Sequence, residues 1–199
     1  MTRLDSEQDD GAMAEAAKNF NMTENVLMQN RTLTLFGEIN QDVARKMSEK
    51  LLALAFQSDE PITLFIGSPG GHVESGDTIF DIIRFIKPDV RVVGTGWVGS
   101  IATNIYLATA VEHRYALPNT RFLIHQPSGG FGGDASDIQI HAKELIKTRE
   151  RIISVIAAQT GQSEAKVGED IQRDHWMSVA ESIEYGLVGK EISSVAELD

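Results

Sequence analysis

Ile62-Thr63-Leu64-Phe65-Ile66-Gly67-Ser68-Pro69-Gly70-Gly71, followed by Ser75 to Ile86, is the stretch that decides the fold. Ile62 to Ile66 is apolar or β-branched and reads as a strand, Pro69 and the glycines stop it, and from Ser75 the apolar positions recur at helical spacing. The same unit repeats on either side. Upstream, Thr32 to Phe36 reads as a strand closed by Gly37, and Gln41 to Phe56 places Val43, Met47, Leu51, Leu52 and Leu54 at helical intervals. Downstream, Arg91 to Val93 is strand, Ser100 to Ala108 helix and Phe122 to Ile124 strand. Strand-helix units in series predict an α/β fold with a parallel sheet covered on both faces.

Past the sheet comes Ser128-Gly129-Gly130-Phe131-Gly132-Gly133, too loose for a core element, and then a helix from about Ala135 to Gln159 with Gly161 at its C-cap position. That helix is broadly apolar around Ile152 to Ala158 and needs a cover. Ser178-Val179-Ala180-Glu181 is a capping-box pattern opening a last helix, which Gly186 ends before the strand-like Leu187 to Ile192. Residues 1–24 are polar and are expected to be a flexible or axial arm, with Met13 to Phe20 able to form one or two helical turns. Residues 25–199 are expected to form a single domain.

Composition narrows the function. The 199 residues carry 18 Lys and Arg against 29 Asp and Glu, a net charge of −11 that repels a phosphate backbone and argues against nucleic acid. The absence of cysteine excludes disulfides, thiolate nucleophiles and Cys-ligated zinc. The N-terminus lacks the apolar run of a secretory signal and no stretch is long enough for a membrane span, so a cytoplasmic protein is expected.

Three segments could carry chemistry. Gly67 to Gly71 follows a strand at the edge of the sheet where ligands bind, and its paired glycines would let backbone N–H groups face a developing negative charge; it also reads as an ordinary Pro-Gly turn. Gly94-Thr95-Gly96-Trp97-Val98-Gly99-Ser100 formally matches a dinucleotide-binding glycine loop, but it lies in the third strand-helix unit, and the acidic candidate Glu112 is followed by no convincing second-strand pattern. Alternatively Ser100 is a nucleophile at a helix N-terminus, or merely an N-cap; Ala102 departs from the G-x-S-x-G elbow. Phe122-Leu123-Ile124-His125-Gln126-Pro127 ends an apolar strand in a histidine, which has no packing reason to be there and suits a general base. An acid must orient that imidazole. Asp174, in a short turn between two helices with bulky neighbours that could bury it, is the best candidate, with Asp170 and Asp137 left open. His72, His113, His141 and His175 sit in weaker contexts, and no metal-ligand spacing occurs.

Taken together, Gly67-Ser68-Pro69-Gly70-Gly71, Phe85-Ile86-Lys87-Pro88-Asp89-Val90, Leu117-Pro118-Asn119-Thr120-Arg121, Ile124-His125-Gln126-Pro127, Thr160-Gly161-Gln162-Ser163, Arg173-Asp174 and Glu184-Tyr185-Gly186-Leu187 resemble the ClpP family, the proteolytic subunits of the ATP-dependent Clp protease. The likeness runs from about Leu33 to Val188. It implies a ClpP/crotonase-like fold with a protruding strand-helix handle at about 128–160, and a serine endopeptidase with Ser100 as nucleophile, His125 as base and Asp174 as acid. The backbone N–H groups of Gly71 and Ile101 would form the oxyanion hole, with no metal and no cofactor.

The same resemblance implies heptameric rings stacked as a tetradecamer, alone or mixed with a second ClpP-type subunit. It implies a ring-shaped AAA+ ATPase as partner, docked on a pocket of Phe65, Phe85, Val93, Tyr115 and Leu117, and unfolded polypeptides as substrates. Where the family usually has Gly-Gln-Ala-Ala-Ser-Met-Gly, this chain has Gly96-Trp97-Val98-Gly99-Ser100-Ile101-Ala102, so Trp97 and Val98 are expected to reshape the wall near the site. Two rival readings are a crotonase-type acyl-CoA hydratase or isomerase and a subunit that only builds or regulates a mixed ring.

Overall fold

The computed structural model describes residues 22–198. Its first helix, α1 (residues 22–29), crosses the boundary expected at residue 24; the proposed turns at Met13 to Phe20 lie outside the described residues. Then follow β1 (Thr32–Phe36), α2 (Gln41–Gln57), β2 (Ile62–Ser68), α3 (Val73–Phe85), β3 (Val90–Gly99), α4 (Ile101–Tyr106), β4 (Arg114–Ala116) and β5 (Arg121–Ile124). The remainder is α5 (Ala135–Thr160), α6 (Glu164–Asp170), β6 (His175–Met177), α7 (Val179–Tyr185) and β7 (Lys190–Glu191).

The sheet runs β1-β2-β3-β4-β7, with β5 added on the far end of β3 and β6 beyond it. Every pairing is parallel except β5 with β6. The α/β expectation therefore holds, but the strands are not buried on both faces. In β2, Ile62, Leu64, Ile66 and Ser68 are buried while Thr63, Phe65 and Gly67 are half-exposed. Helices α2, α3 and α4 pack on one another over one face. The other face carries a smaller apolar group, Val93, Tyr115 and Ile192, flanked by Phe65, Leu117 and Leu198. Alternation of period 2 is what a half-covered sheet requires.

Two buried or turned arginines tie distant segments together. Arg31, at φ 49°, donates to the carbonyls of Leu54, Ser58, Glu60 and Pro61, joining the end of α2 to the start of β2. Arg114 is 1% exposed and donates to the carbonyls of Thr109 and Gln159 and to the Gln159 side chain. Burial lowers its pKa, and those acceptors are what make a guanidinium tolerable there.

Helix α5 starts with Asp134 capping the amides of Ser136 and Asp137 and ends on Gly161 in the left-handed region, φ 76°. Over 26 residues it would extend about 39 Å, yet its buried residues are only Ile152, Ile153, Ile156 and Ala157. Ile138, Ile140 and Ile146 are exposed on its first half. This is the projecting handle. Its preceding segment, residues 125–134, forms no strand, so of the expected strand-helix handle only the helix is seen.

Candidate active site

Ser100 sits where β3 ends and α4 begins, at φ 55° and ψ −130°. A non-glycine residue at positive φ is strained and needs its surroundings to hold it. Here the hold comes from the Ser100 N–H, which donates to Leu123 O at 2.9 Å, and from the Thr103 hydroxyl, within hydrogen-bonding distance of Val98 O and Leu123 O. The Ser100 side chain makes no capping bond. The sharp turn instead lifts the hydroxyl out of the helix, so the N-cap reading fails. The dinucleotide-loop reading fails as well, since Gly94 to Gly99 lies within strand β3.

His125 follows β5 directly, and Asp174 precedes β6 directly. The antiparallel register pairs Ile124 with His175, so the next positions outward oppose His125 to Asp174. The imidazole bridges the other two side chains: Nε2 lies 2.8 Å from Ser100 Oγ and Nδ1 lies 3.2 Å from Asp174 Oδ1. Beyond His125 the chain is pinned by the Gln126 N–H, which donates to Ile171 O at 2.7 Å. Asp174 is not buried as its bulky neighbours suggested: its side chain is 63% exposed, and Trp176 stacks on Trp97. Asp170 accepts from Tyr185 and Lys166 instead, and Asp137 stands beside Gly133 in the first turn of α5.

Gly70 and Gly71 close the site from the side. Ile39 N–H donates to Gly70 O and His72 N–H donates to Ile39 O, both at 2.8 Å, a bridge that leaves the Gly71 N–H out. Gly71 has φ 147°, and a Cβ there would fall 2.3 Å from Ile39 O, so only glycine fits. Ile101 is the first residue of α4, where the amide has no partner inside the helix. A groove of about 410 Å³ runs from Gly71, His72 and Glu74 to Pro127, Gly129 and the handle residues His141 and Leu145. Phe131 stacks on His141 along its rim, ring centres 4.8 Å apart. A small apolar recess beside Ser100 is lined by Val73, Asn104, Ile124, Ile152 and Ile156.

Of the five pocket residues, Phe65, Val93, Tyr115 and Leu117 gather on the half-covered sheet face with Ile192 and Leu198. Phe85 stands apart, 80% exposed at the end of α3. Sequence reading missed strands β4 and β6, helix α6 and the stack of Trp97 on Trp176. Among the described residues no group of three His, Cys, Asp or Glu could hold a metal ion, and no helix is long and apolar enough to cross a membrane.

A model of the Clp protease family matches residues 15–195. The chain is 52% identical over 176 residues to ATP-dependent Clp protease proteolytic subunit 3 of Rhizobium johnstonii, covering 88% of this chain and 91% of that protein. It is 48% identical to proteolytic subunit 2 of Gluconobacter oxydans, covering 99% and 92%. ClpP1 from Listeria monocytogenes superimposes with a TM-score of 0.81 at 48% identity, covering 89% of this chain and 99% of that one. An α/β sheet that brings a strained serine against a histidine is shared by many hydrolases, but a match of this extent in both sequence and structure is specific: the chain belongs to the Clp protease family.

Proposed function

We propose that this chain is a serine endopeptidase subunit in which Ser100 attacks the peptide carbonyl. The observation that carries the reading is the continuous contact from the Ser100 hydroxyl through both imidazole nitrogens of His125 to Asp174, at 2.8 and 3.2 Å. With Nδ1–H directed at Asp174, Nε2 has its lone pair free to accept the hydroxyl proton. Ser100 Oγ bonds to the carbonyl carbon, and the oxyanion is held by the Gly71 and Ile101 N–H groups. Collapse breaks the C–N bond while His125 gives its proton to the leaving amine. Water, deprotonated by His125, then cleaves the ester and restores Ser100.

The crotonase reading is not favoured, since an acyl-CoA hydratase has no use for this serine-histidine contact, and the relatives are peptidase subunits. The substrates of this chain are unfolded polypeptides, received from a Clp-type AAA+ ATPase docked near Phe65, Val93, Tyr115 and Leu117. The chain works in seven-membered rings stacked in pairs. The exposed Ile138, Ile140 and Ile146 on the handle and the half-covered sheet face support assembly, because apolar surface of this kind marks an interface. The names of the relatives number them as subunits 2 and 3, which agrees with a chain that shares its ring with a second, related subunit.

The test is hydrolysis of fluorogenic peptides by the purified chain. Ser100→Ala and His125→Ala should each reduce turnover by at least about 10³-fold with the oligomer unchanged by native mass spectrometry. Turnover by Ser100→Ala within tenfold of the unsubstituted protein would overturn the proposal.

A further inference from the structure

Trp97 and Trp176 lie face to face, ring centres 5.6 Å apart and planes 6° from parallel, and the Arg121 guanidinium covers the Trp176 ring at 4.5 Å. The two indoles come from different strands. Their meeting depends on an irregularity in β3: Ile66 pairs with Gly94 and Ser68 pairs with Val98, so β3 spends two extra residues over that span. Gly96, at φ 63° in open space, takes the turn. A bulge of this sort re-aims a side chain, and bulges concentrate beside active sites.

Register puts this stack on the same sheet face as the proposed catalytic pair. Val98 opposes Phe122, and both are fully buried on the helix-covered face, so Trp97 and Arg121 point the other way. Leu123 opposes Trp176 on that second face, and a Cβ on Gly99 would touch Leu123. His125 and Asp174 lie two positions, about 7 Å, beyond Leu123 and Trp176 on the same two strands, and His125 lies four positions, about 13 Å, beyond Arg121, the register partner of Trp97. The row therefore runs from the indoles, over Leu123, to His125. Trp97 is still 41% exposed at its end.

The direction of the chemistry says which part of a substrate would meet this row. His125 must hand a proton to the leaving amine, so the amine side of the scissile bond lies on the imidazole side of Ser100. The acyl side then occupies the groove between Gly71 and the handle. We propose that Trp97, held by Trp176, is a specificity-determining residue for the amine side of the substrate, selecting aromatic side chains one or two positions past the cut. This inference rests on Ser100 being the nucleophile.

The experiment is a digest, by the full-length protein, of a denatured peptide library containing all residue types, with cut sites read by mass spectrometry. Aromatic residues one or two positions past the cut should be enriched about fivefold, as stacking on an indole would give. Trp97→Ala and Trp97→Gln should lower that enrichment to about background, and Trp97→Phe should keep most of it. The ratio is the readout, because a merely structural role would slow all cuts equally. No enrichment in the unsubstituted protein, or the same enrichment in either polar or small variant, overturns the inference. A protein that neither cuts the library nor reacts with a fluorophosphonate overturns the proposed function itself, and this inference with it.

Discussion

Gly70→Ala tests the packing of the site at its tightest point. Gly70 has φ 96°, and a Cβ built there lies 2.6 Å from Ser100 Cβ, 2.7 Å from Gly99 O and 3.1 Å from Ile101 N. Carbon atoms in contact sit at about 3.5 to 4 Å, so Ser100 would have to retreat by roughly 1 Å. A displacement of that size at a nucleophile is worth about 100-fold in rate. The left-handed backbone adds about 1 to 3 kcal/mol of strain, which for a chain of this size lowers Tm by about 3 to 10 °C.

Gly161→Ala separates the two effects. Gly161 has φ 76°, but nothing lies within 4 Å of its Cβ position. It should lose stability without losing activity. The assay is kcat/KM on a fluorogenic peptide together with thermal unfolding of both variants. The reasoning is refuted if Gly70→Ala stays within about threefold of the unsubstituted protein, or if Gly161→Ala loses as much activity.

Other predictions concern the frame around the site. Arg114→Ala leaves the Thr109 and Gln159 carbonyls without their buried donor, at a cost of about 3 kcal/mol or more, visible as a fall in Tm of roughly 6 °C or greater. An unchanged Tm would mean those bonds contribute nothing. Asp170 contributes pH-dependent stability: burial would raise its pKa, but the hydrogen bonds from Lys166 and Tyr185 outweigh that and hold it below the ordinary value. A carboxylate depressed in the folded state stabilises above its unfolded pKa and loses that contribution as pH falls through the folded one. Tm should therefore drop more steeply as pH falls below about 4 in the unsubstituted protein than in Asp170→Asn, and parallel curves would contradict it.

Strands β1, β2 and β5, the first part of β3, and helices α2, α3 and α4 were legible because most repeat one pattern, an apolar strand, a glycine or proline stop, and an amphipathic helix, whereas α1 and the three-residue β4 are too short to show one. Ser100 and His125 stood out for the same reason, as polar residues placed where an apolar element ends. Asp174 could be nominated but not chosen by residue chemistry alone, since Asp170 and Asp137 carry the same group; the choice belongs to the β5-β6 pairing. Strand β6 is three residues long, too short for periodicity to show. The bulge that swings Trp97 onto Trp176, and the burial of Arg114 against Gln159, are matters of tertiary register that no local window contains. The half-covered sheet face was misread because serial strand-helix units usually have helices on both faces, whereas here α2, α3 and α4 pack together on one.

The central claim is that the hydroxyl of Ser100 is the nucleophile, and the most direct measurement is the site of covalent capture. The protein is incubated with a fluorophosphonate, digested, and the adduct located by tandem mass spectrometry. The account predicts one phosphonylated residue, Ser100, with capture lost in Ser100→Ala and slowed in His125→Ala. An adduct on any other residue, or capture that survives Ser100→Ala, would contradict it.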